Sequence, residues 1–387
     1  MTVAYIVDAV RTAGGRRKGR LSGLHAADLG AVSLDALVER NGIDPTAIDD
    51  VIMGCVTQAG EQSNHVGRNS VLASSLPNSV PAVTIDRQCG SSQQSIQFAA
   101  QAVMSGTQDV VIAAGVESMT RAPMGSNALL EQGKDPWSDA IKQRFGVKFF
   151  SQFVGAQMIA DKYEFSRESL DEFALESHRR AAAATEAGAF SNEIVPVDVA
   201  TEEGDTVTHD KDEGIRFDAS MDGLAKLEPL TDGGVITAGN ASQICDGSSA
   251  ALIMSEQAVK DHGAEPMARI VNLTITAGDP VIMLEEPLFA TGKALQKAGL
   301  GLGDIDFFEV NEAFAPVPMA WLKHLDGDHD RVNVNGGAIA LGHPLGATGV
   351  KLMATLLNTL KARGGRYGLL TMCEGGGQAN VTIVEAL

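Results

Sequence analysis

The chain has little positive charge, few aromatic residues and no long apolar run, and the first and last of these features each exclude a class of function. It carries 30 Lys and Arg against 49 Asp and Glu, a formal net charge of −19. Nucleic acid is not an expected partner, because phosphate neutralisation requires a concentrated basic surface. A small anionic ligand still fits if a few cations line one groove. No apolar run approaches the roughly 18 residues of a membrane span, so we expect no membrane association.

Cysteine is also scarce, with four residues and no C-x-x-C pair. This pattern argues against zinc, and we expect no metal site. A disulfide framework is not expected in a chain of this size without a secretory signal. The sequence begins with a strand-like run at residues 3–7, and residues 384–387 do not form a retention tag. We therefore predict a cytoplasmic protein with reduced thiols.

The chain is rich in glycine, which accounts for 42 of its 387 residues, and 44% of its residues are apolar. This length is sufficient for two domain-sized cores or one large core. Abundant glycine with few aromatics favours an α/β protein with tight loops.

Residues 86–94 organise the rest of the chain. They follow an apolar run at 80–85 and precede an Ala-rich segment at 95–104 that predicts a helix. A cysteine at such a turn, Cys89, lies where free N–H groups and the helix dipole favour negative charge, so we expect its thiol pKa to be lowered. Taken alone, a buried structural cysteine explains this stretch equally well.

The C-terminal third repeats the plan of the first. Residues 42–52 match residues 299–309 at an offset of 257, and Glu117 matches Glu374 at the same offset (374 − 117 = 257). Cys89 then falls opposite Gly346. We predict two similar α/β halves whose equivalent loops face one another.

Residues 119–240 have no counterpart in the repeat. They are more charged and loop-like, apart from a predicted helix over 170–188. We interpret them as an insert that covers a ligand, the alternative being a solvated decoration. The expected domains are 1–118 plus 241–268, the insert at 119–240, and a second half at 269–387.

Three further motifs lie on predicted loops of the second half: residues 311–315, 333–349 and 372–377, the first and the last of them directly after predicted strands. His343 can exchange a proton near neutral pH, Cys373 lies at a strand end before three glycines, and Asn311 can donate to an oxyanion. Each also has a structural explanation, and the glycine spacing at 342–349 is neither the dinucleotide nor the Walker pattern. Their shared position on facing loops favours one active site.

These stretches, together with residues 7–12 and 87–91, resemble the thiolase family of acetyl-CoA acyltransferases over nearly the whole chain. The resemblance implies two duplicated βαβαβαββ halves stacked in five layers (αβαβα) with an inserted loop domain. It also implies a homodimer or homotetramer, with other β-oxidation enzymes as candidate partners.

By resemblance, Cys89 is the acyl-carrying nucleophile and His343 activates it. Cys373 is the second acid/base, Asn311 holds a water for one oxyanion, and the N–H groups of Cys89 and Gly375 serve the other. A soft nucleophile, two oxyanion sites and a proton source suffice to cleave a 3-ketoacyl thioester. No bound cofactor is implied; coenzyme A and acyl-CoA are substrates.

The same resemblance implies a coenzyme A site, with Arg216 near the nucleotide, formed by Arg216, Ala238, Ser242, Ala313 and Phe314. Gln243 replaces the Gly of many relatives, and residues 151–158 lack the His-Met-Gly pattern of short-chain biosynthetic members. These departures argue against simple acetoacetyl-CoA specificity. Residues 89–94 are more similar to actinobacterial thiolases of long-chain or steroid side-chain degradation.

The expected reaction is thiolysis of a 3-ketoacyl-CoA, or the reverse condensation, with a biosynthetic acetoacetyl-CoA thiolase or a bulky-substrate thiolase as alternatives. A decarboxylating ketosynthase is a second reading, which Cys373 disfavours. A third is a non-catalytic acyl-CoA-binding subunit.

Overall fold

The computed structural model describes residues 3–128, 135–201 and 204–387, which contain thirteen strands and twelve α-helices. The strands are β1 Ala4–Thr12, β2 Gly15–Arg16, β3 Asp50–Gly54, β4 Ala82–Ile85, β5 Val110–Ser118, β6 Ile194–Val195, β7 Val197–Ala200, β8 Thr206–His209, β9 Cys245–Ser255, β10 Ala268–Ala277, β11 Phe307–Val310, β12 Tyr367–Glu374 and β13 Gln378–Ala386. The helices are α1 Ala26–Asn41, α2 Val66–Ala73, α3 Ser91–Ser105, α4 Asp139–Phe145, α5 Gln152–Lys162, α6 Arg167–Glu186, α7 Met221–Leu224, α8 Glu256–His262, α9 Glu286–Ala298, α10 Pro316–Leu325, α11 Ala338–Leu341 and α12 Thr348–Arg363.

Eleven of the described strands form one mixed sheet, in the order β11-β12-β13-β10-β1-β9-β5-β3-β4, with β2 added at β9 and β6 at β1. The sheet has two halves that are joined by β1 and β10. These two strands pair only over two positions, Tyr5 with Arg269 and Ile6 with Ala268. Each half therefore keeps its own strand order around this narrow junction.

The two halves repeat each other in the register that the sequence predicts. Strands β5 and β12 begin 257 residues apart, at Val110 and Tyr367, and helices α3 and α12 begin 257 residues apart, at Ser91 and Thr348. In the first half β3 pairs in parallel with β5, and in the second half β11 pairs in parallel with β12. The predicted duplication is confirmed.

Helices α3 and α12 form the central layer between the two halves of the sheet. Ile96 of α3 and Met353 of α12 are fully buried in one apolar cluster with residues from both halves. Burying each such side chain contributes roughly 1.5–3 kcal/mol. A second cluster lies between α1 and the first half, and a third between α9, α10 and the second half. This arrangement is the predicted stack of five α/β layers.

Helix α3 ends at the left-handed Gly106, with φ 74°, and α12 ends in the same way at Gly364, with φ 66°. Glycine favours this conformation because it lacks a Cβ atom. The two N-termini touch: a Cβ on Gly349 would lie 2.1 Å from the backbone nitrogen of Gln93. The loops that precede these helices are thereby brought together.

The segment between β5 and β9 carries more regular structure than the sequence predicts, with α4 to α7 and β6 to β8. The expected helix over 170–188 is α6. Residues 129–134 and 202–203 of the predicted insert lie outside the described residues. The segment is tied to β1 by a buried guanidinium: Arg11 donates to Asp212 at 2.9 and 3.0 Å and to Glu193 at 2.7 Å. Within the described ranges, none of the helices is long and apolar enough to cross a membrane.

Candidate active site

The turn that carries Cys89 is held by its own side chains. Gln88 has a left-handed φ of 48°, which is uncommon for a residue with a Cβ, and its N–H donates to Asp86 at 2.7 Å. The Ser91 hydroxyl accepts from the Arg87 N–H at 2.9 Å and donates to the Gln88 carbonyl at 2.6 Å. These hydrogen bonds fix Cys89 immediately before Gly90, the N-cap of α3. Only 7% of the Cys89 surface is exposed.

Glycine at position 90 allows a second turn to approach this cysteine. A Cβ on Gly90 would lie 1.9 Å from the Glu374 carboxyl, and one on Gly375 would lie 2.7 Å from the Gln88 amide oxygen. Cys373 precedes this second turn and is fully buried at the end of β12. The two cysteine-bearing turns, predicted from motifs far apart in the sequence, are therefore in contact.

His343 is held by hydrogen bonds to both ring nitrogens. Its Nδ1 lies 2.6 Å from the Thr348 hydroxyl, which itself donates to the Pro344 carbonyl at 2.8 Å. Since the hydroxyl proton is used there, Nδ1 must be the protonated nitrogen and donate to Thr348. Nε2 is then the free base, and Asn311 Nδ2 donates to it at 3.4 Å. The arrangement fixes the tautomer that can accept a proton at Nε2.

Asn311 directly follows β11, and its N–H donates to the Thr371 carbonyl at 3.0 Å. The next residue, Glu312, is buried and accepts from Ser177 at 2.6 Å and Asn333 at 2.9 Å. This anchored loop leaves the Asn311 Oδ1 atom buried without a hydrogen-bond donor among the described residues. The oxygen can accept from a water or a substrate group.

Burial sets the charge state of the site, and it overturns one expectation from the sequence. Burial, followed by the Glu374 carboxylate, raises the pKa of the Cys89 thiol to about 12. The predicted lowering by the helix terminus is therefore wrong, because loss of water outweighs the local N–H groups. Burial and the Lys351 ammonium lower the pKa of His343 to about 3. The pKa of Cys373 is raised by burial and by the Cys89 sulfur. The resting pair is thus a neutral thiol and a neutral imidazole.

The two carboxyls related by the repeat have opposite surroundings. Glu117 accepts from the N–H groups of Val56, Thr57 and Gly346 at 2.8–3.0 Å. In the described part of the chain, neither oxygen of Glu374 meets the geometry of a hydrogen bond, although the side chain is fully buried. Burial raises its pKa well above the ordinary value, and the nearby Arg87 side chain and Asn380 N–H only partly oppose this effect. Glu117 fixes a loop, whereas Glu374 places a buried carboxyl against Gly90, the residue that follows Cys89.

A cavity of about 900 Å³ opens beside His343. Its lining includes four of the five residues that the resemblance places at coenzyme A: Arg216, Ala238, Ser242 and Phe314. The fifth residue, Ala313, is not among the described residues that line the cavity. It is buried, and its carbonyl accepts from the Ser242 N–H at 2.9 Å.

Several functional features were not found from the sequence. The sequence marked Thr348 only as part of a Gly-rich motif, and it marked Glu374 only by its position in the repeat; neither feature indicates a contact with His343 or with the Cys89 turn. Gln243, noted as a departure, donates to the Gly214 and Ile339 carbonyls at 2.8 Å each, and its own carbonyl accepts from the His343 N–H at 3.1 Å. The described residues contain no group of three His, Cys, Asp or Glu suited to a metal ion, and the absence of a metal stays a prediction.

Comparison with known proteins identifies the family. Residues 4–257 match the model of the thiolase N-terminal domain, and residues 264–386 match that of the thiolase C-terminal domain. The chain is 53% identical to a steroid 3-ketoacyl-CoA thiolase of Mycobacterium tuberculosis, covering all of this chain and 95% of that protein. It is 43% identical to a β-ketoadipyl-CoA thiolase of Acinetobacter baylyi, with both chains fully covered.

Among solved structures, the human mitochondrial 3-ketoacyl-CoA thiolase superposes with a TM-score of 0.90 at 38% identity, covering 100% of this chain and 99% of that one. Fold, family models and relatives agree along the whole length. The chain belongs to the thiolase family and is an acyltransferase that acts on coenzyme A thioesters.

Proposed function

We propose that this thiolase cleaves a bulky 3-ketoacyl-CoA with coenzyme A, through an acyl group carried on Cys89. The observation that carries the proposal is the pair of hydrogen bonds to His343: Nδ1 donates to Thr348, and the unprotonated Nε2 accepts from Asn311. The contact between the turns of Cys89 and Cys373 supports the use of both sulfurs.

In the proposed reaction, Cys89 Sγ attacks the 3-keto carbon while His343 Nε2 accepts the thiol proton. The resulting alkoxide collapses, the C2–C3 bond breaks, and its electron pair passes to the thioester as an enolate. Cys373 donates its proton to C2 and acetyl-CoA leaves. The Cys373 thiolate then takes the proton of the incoming coenzyme A, whose sulfur attacks the acyl-Cys89 thioester, and His343 returns a proton to Cys89.

Two oxyanions form in turn, and we assign them to different donors. One site is His343 together with a water held by Asn311, whose buried Oδ1 atom can accept from that water. The other site is the pair of N–H groups of Cys89 and Gly375, on the two turns that touch. Removing one such donor typically costs about 2.7–4 kcal/mol of barrier.

The cavity favours a bulky acyl group over acetoacetyl-CoA. Its volume of about 900 Å³ includes the part lined by the residues assigned to coenzyme A, so the support for a bulky acyl group comes from the apolar remainder. Apolar side chains such as Met119, Met124 and Ile244 line one part of it. The relative at 53% identity carries the name of a steroid 3-ketoacyl-CoA thiolase, which supports the same substrate class here.

Cysteine variants test the roles directly. Cys89→Ser is expected to abolish thiolysis, whereas Cys373→Ser is expected to retain acylation of Cys89 by acetyl-CoA, detected by intact-protein mass spectrometry. Cys55→Ala, a buried thiol in a different apolar cluster, is the matched control and keeps turnover. Near-normal thiolysis by Cys89→Ser would refute the assignment. A wild type that binds but never cleaves any ketoacyl-CoA would favour the non-catalytic acyl-CoA-binding alternative.

We further propose the domain division at 1–118 plus 241–268, 119–240 and 269–387, a homodimer or homotetramer, and a cytoplasmic location. The edge strand β4 supports self-association, since it lies at the end of the sheet and its Val83 side chain is exposed. Leu72 and Phe98 are exposed as well. Sedimentation velocity would test the assembly, and cell fractionation the location.

A further inference from the structure

The cavity is rich in positive charge although the chain is strongly acidic. Arg16, Arg17, Lys18 and Arg216 line it, and among the described lining residues Asp218 is the one carboxylate. In a chain of net charge −19, four cations around one cavity indicate an anionic ligand.

These cations come from two separate loops. Arg216 belongs to the segment between β5 and β9, where its N–H donates to His178 Nδ1 on α6 at 3.1 Å. The other three form a cationic turn, residues 16–18, which begins at the last residue of β2. Arg16 pairs with Cys245 of β9, next to the cavity residue Ile244.

The cationic turn is continuous with the apolar wall around the nucleophile. The Lys18 N–H donates to the Thr120 hydroxyl at 3.1 Å, and the preceding residue, Met119, packs in the same apolar cluster as Cys89 and Leu345. Lys18 has a left-handed φ of 57°, an uncommon conformation that this hydrogen bond supports.

The nearby carboxylates are already engaged. Glu213 accepts from the Arg16 and Arg20 N–H groups at 3.1 and 3.2 Å, and Asp246 accepts from the Thr120 N–H at 2.8 Å. Within the described residues, the side chains of Arg16, Arg17 and Lys18 form no ion pair. Their charges are available to a ligand.

We infer that the cationic turn binds a carboxylate at the far end of the acyl chain, so that the substrate is an ω-carboxy-3-ketoacyl-CoA. The inference rests on the proposed function. The carbon attacked by Cys89 has two substituents: one leads through the thioester to the coenzyme A phosphates, the other is the acyl chain. With Arg216 on the phosphates, the acyl chain runs along Met119 and Ile244 and ends at the cationic turn.

The test compares matched substrates that differ only at the chain end. Thiolysis is measured with 3-oxodioyl-CoA thioesters of six, eight and ten carbons and with 3-oxoacyl-CoA thioesters of the same lengths that end in methyl. For at least one length, the wild type is expected to prefer the carboxylate, with kcat/KM higher by about tenfold or more.

The double variant Arg17→Gln, Lys18→Asn removes two charges, and Asn tolerates the left-handed conformation. We expect it to lose roughly 10–100-fold in kcat/KM on the carboxylate substrate and less than about twofold on its methyl counterpart. Arg20→Gln is the control, a neighbouring exposed cation outside the described lining of the cavity.

Equal losses on both substrates, with a raised KM for coenzyme A, would assign the turn to the phosphates and overturn the inference. No wild-type preference, or no loss in the double variant, would also overturn it, while thiolysis of the methyl substrates would leave the proposed function standing. Failure of the wild type to cleave any ketoacyl-CoA, including one with a sterol side chain, would instead refute the proposed function.

Discussion

The hydroxyl of Thr348 decides which nitrogen of His343 carries the proton, and Thr348→Val removes that hydroxyl with little change of shape. The substitution leaves the Nδ1–H group buried without its partner at 2.6 Å. An unsatisfied buried donor costs about 1–3 kcal/mol. The ring can avoid this cost by moving its proton to Nε2, but Nε2–H cannot accept the thiol proton of Cys89. At 1.36 kcal/mol per tenfold, kcat/KM should fall by roughly 5–150-fold.

The assay is steady-state thiolysis, together with single-turnover acylation of Cys89 by acetyl-CoA, which isolates the step that needs the base. Thr348→Ser keeps the hydroxyl and should retain most of the activity. Thr355→Val removes a buried hydroxyl from the same helix, one that donates to Glu193 at 2.8 Å, and serves as the control for stability. Wild-type acylation in Thr348→Val, or equal losses in both Val variants, would refute the tautomer argument.

Three further outcomes are expected. Glu374→Gln removes the carboxylate that helps to raise the pKa of Cys89, so the pH profile of iodoacetamide inactivation should move to lower pH; an unmoved profile would contradict this. The folded-state pKa of His343 is lowered from 6.5 to about 3, so the unfolded chain binds more protons between these values and stability falls on acidification. His343→Asn should therefore lose less stability than the wild type between pH 7 and pH 5 in urea denaturation, and equal losses would contradict the shift. Arg11→Met removes the cation that pairs with two buried carboxylates, Glu193 and Asp212, and should lower the free energy of unfolding by roughly 3–5 kcal/mol in the same assay. The exposed Arg179→Met should lower it by about 0–1 kcal/mol, and comparable losses would contradict the stabilising role of the buried ion pairs.

The duplicated fold was predictable because its signal is periodic along the chain. The spacing that relates Glu117 to Glu374 also relates the starts of α3 and α12, so the facing loops followed from the register alone. The candidate site residues were selected by their place along the chain, since Cys89, Asn311 and Cys373 lie in short motifs at the ends of predicted strands, and their catalytic roles stay predictions. The boundaries shifted by a few residues, since helices begin at caps such as Gly90 that apolar patterns do not mark.

The charge state of Cys89, the proposed nucleophile, was not predictable, because it depends on contacts that are distant along the chain. The local pattern around Cys89 correctly gave a helix N-terminus, which favours a thiolate. The fold then buries the thiol and places the Glu374 carboxyl, 285 residues away in sequence (374 − 89 = 285), against Gly90. Likewise, no pattern distinguishes Glu117 from Glu374, since only the folded chain shows which of them has donors.

The neutral states of the Cys89 thiol and the His343 imidazole also determine the sequence of the proposed steps. With its thiol pKa near 12 and His343 near 3, Cys89 is not a preformed thiolate, so proton transfer to Nε2 must accompany attack on the substrate. The pKa of Cys373 is raised in part by the negative charge that Cys89 would carry. Two thiolates therefore oppose one another, and the site favours one at a time. Acylation converts Cys89 into an uncharged thioester and removes that repulsion. The Cys373 thiolate left by protonation of the enolate is then tolerated beside it, and it is this thiolate that takes the proton of coenzyme A. Acyl transfer to one sulfur thus prepares the other for the second half of the reaction.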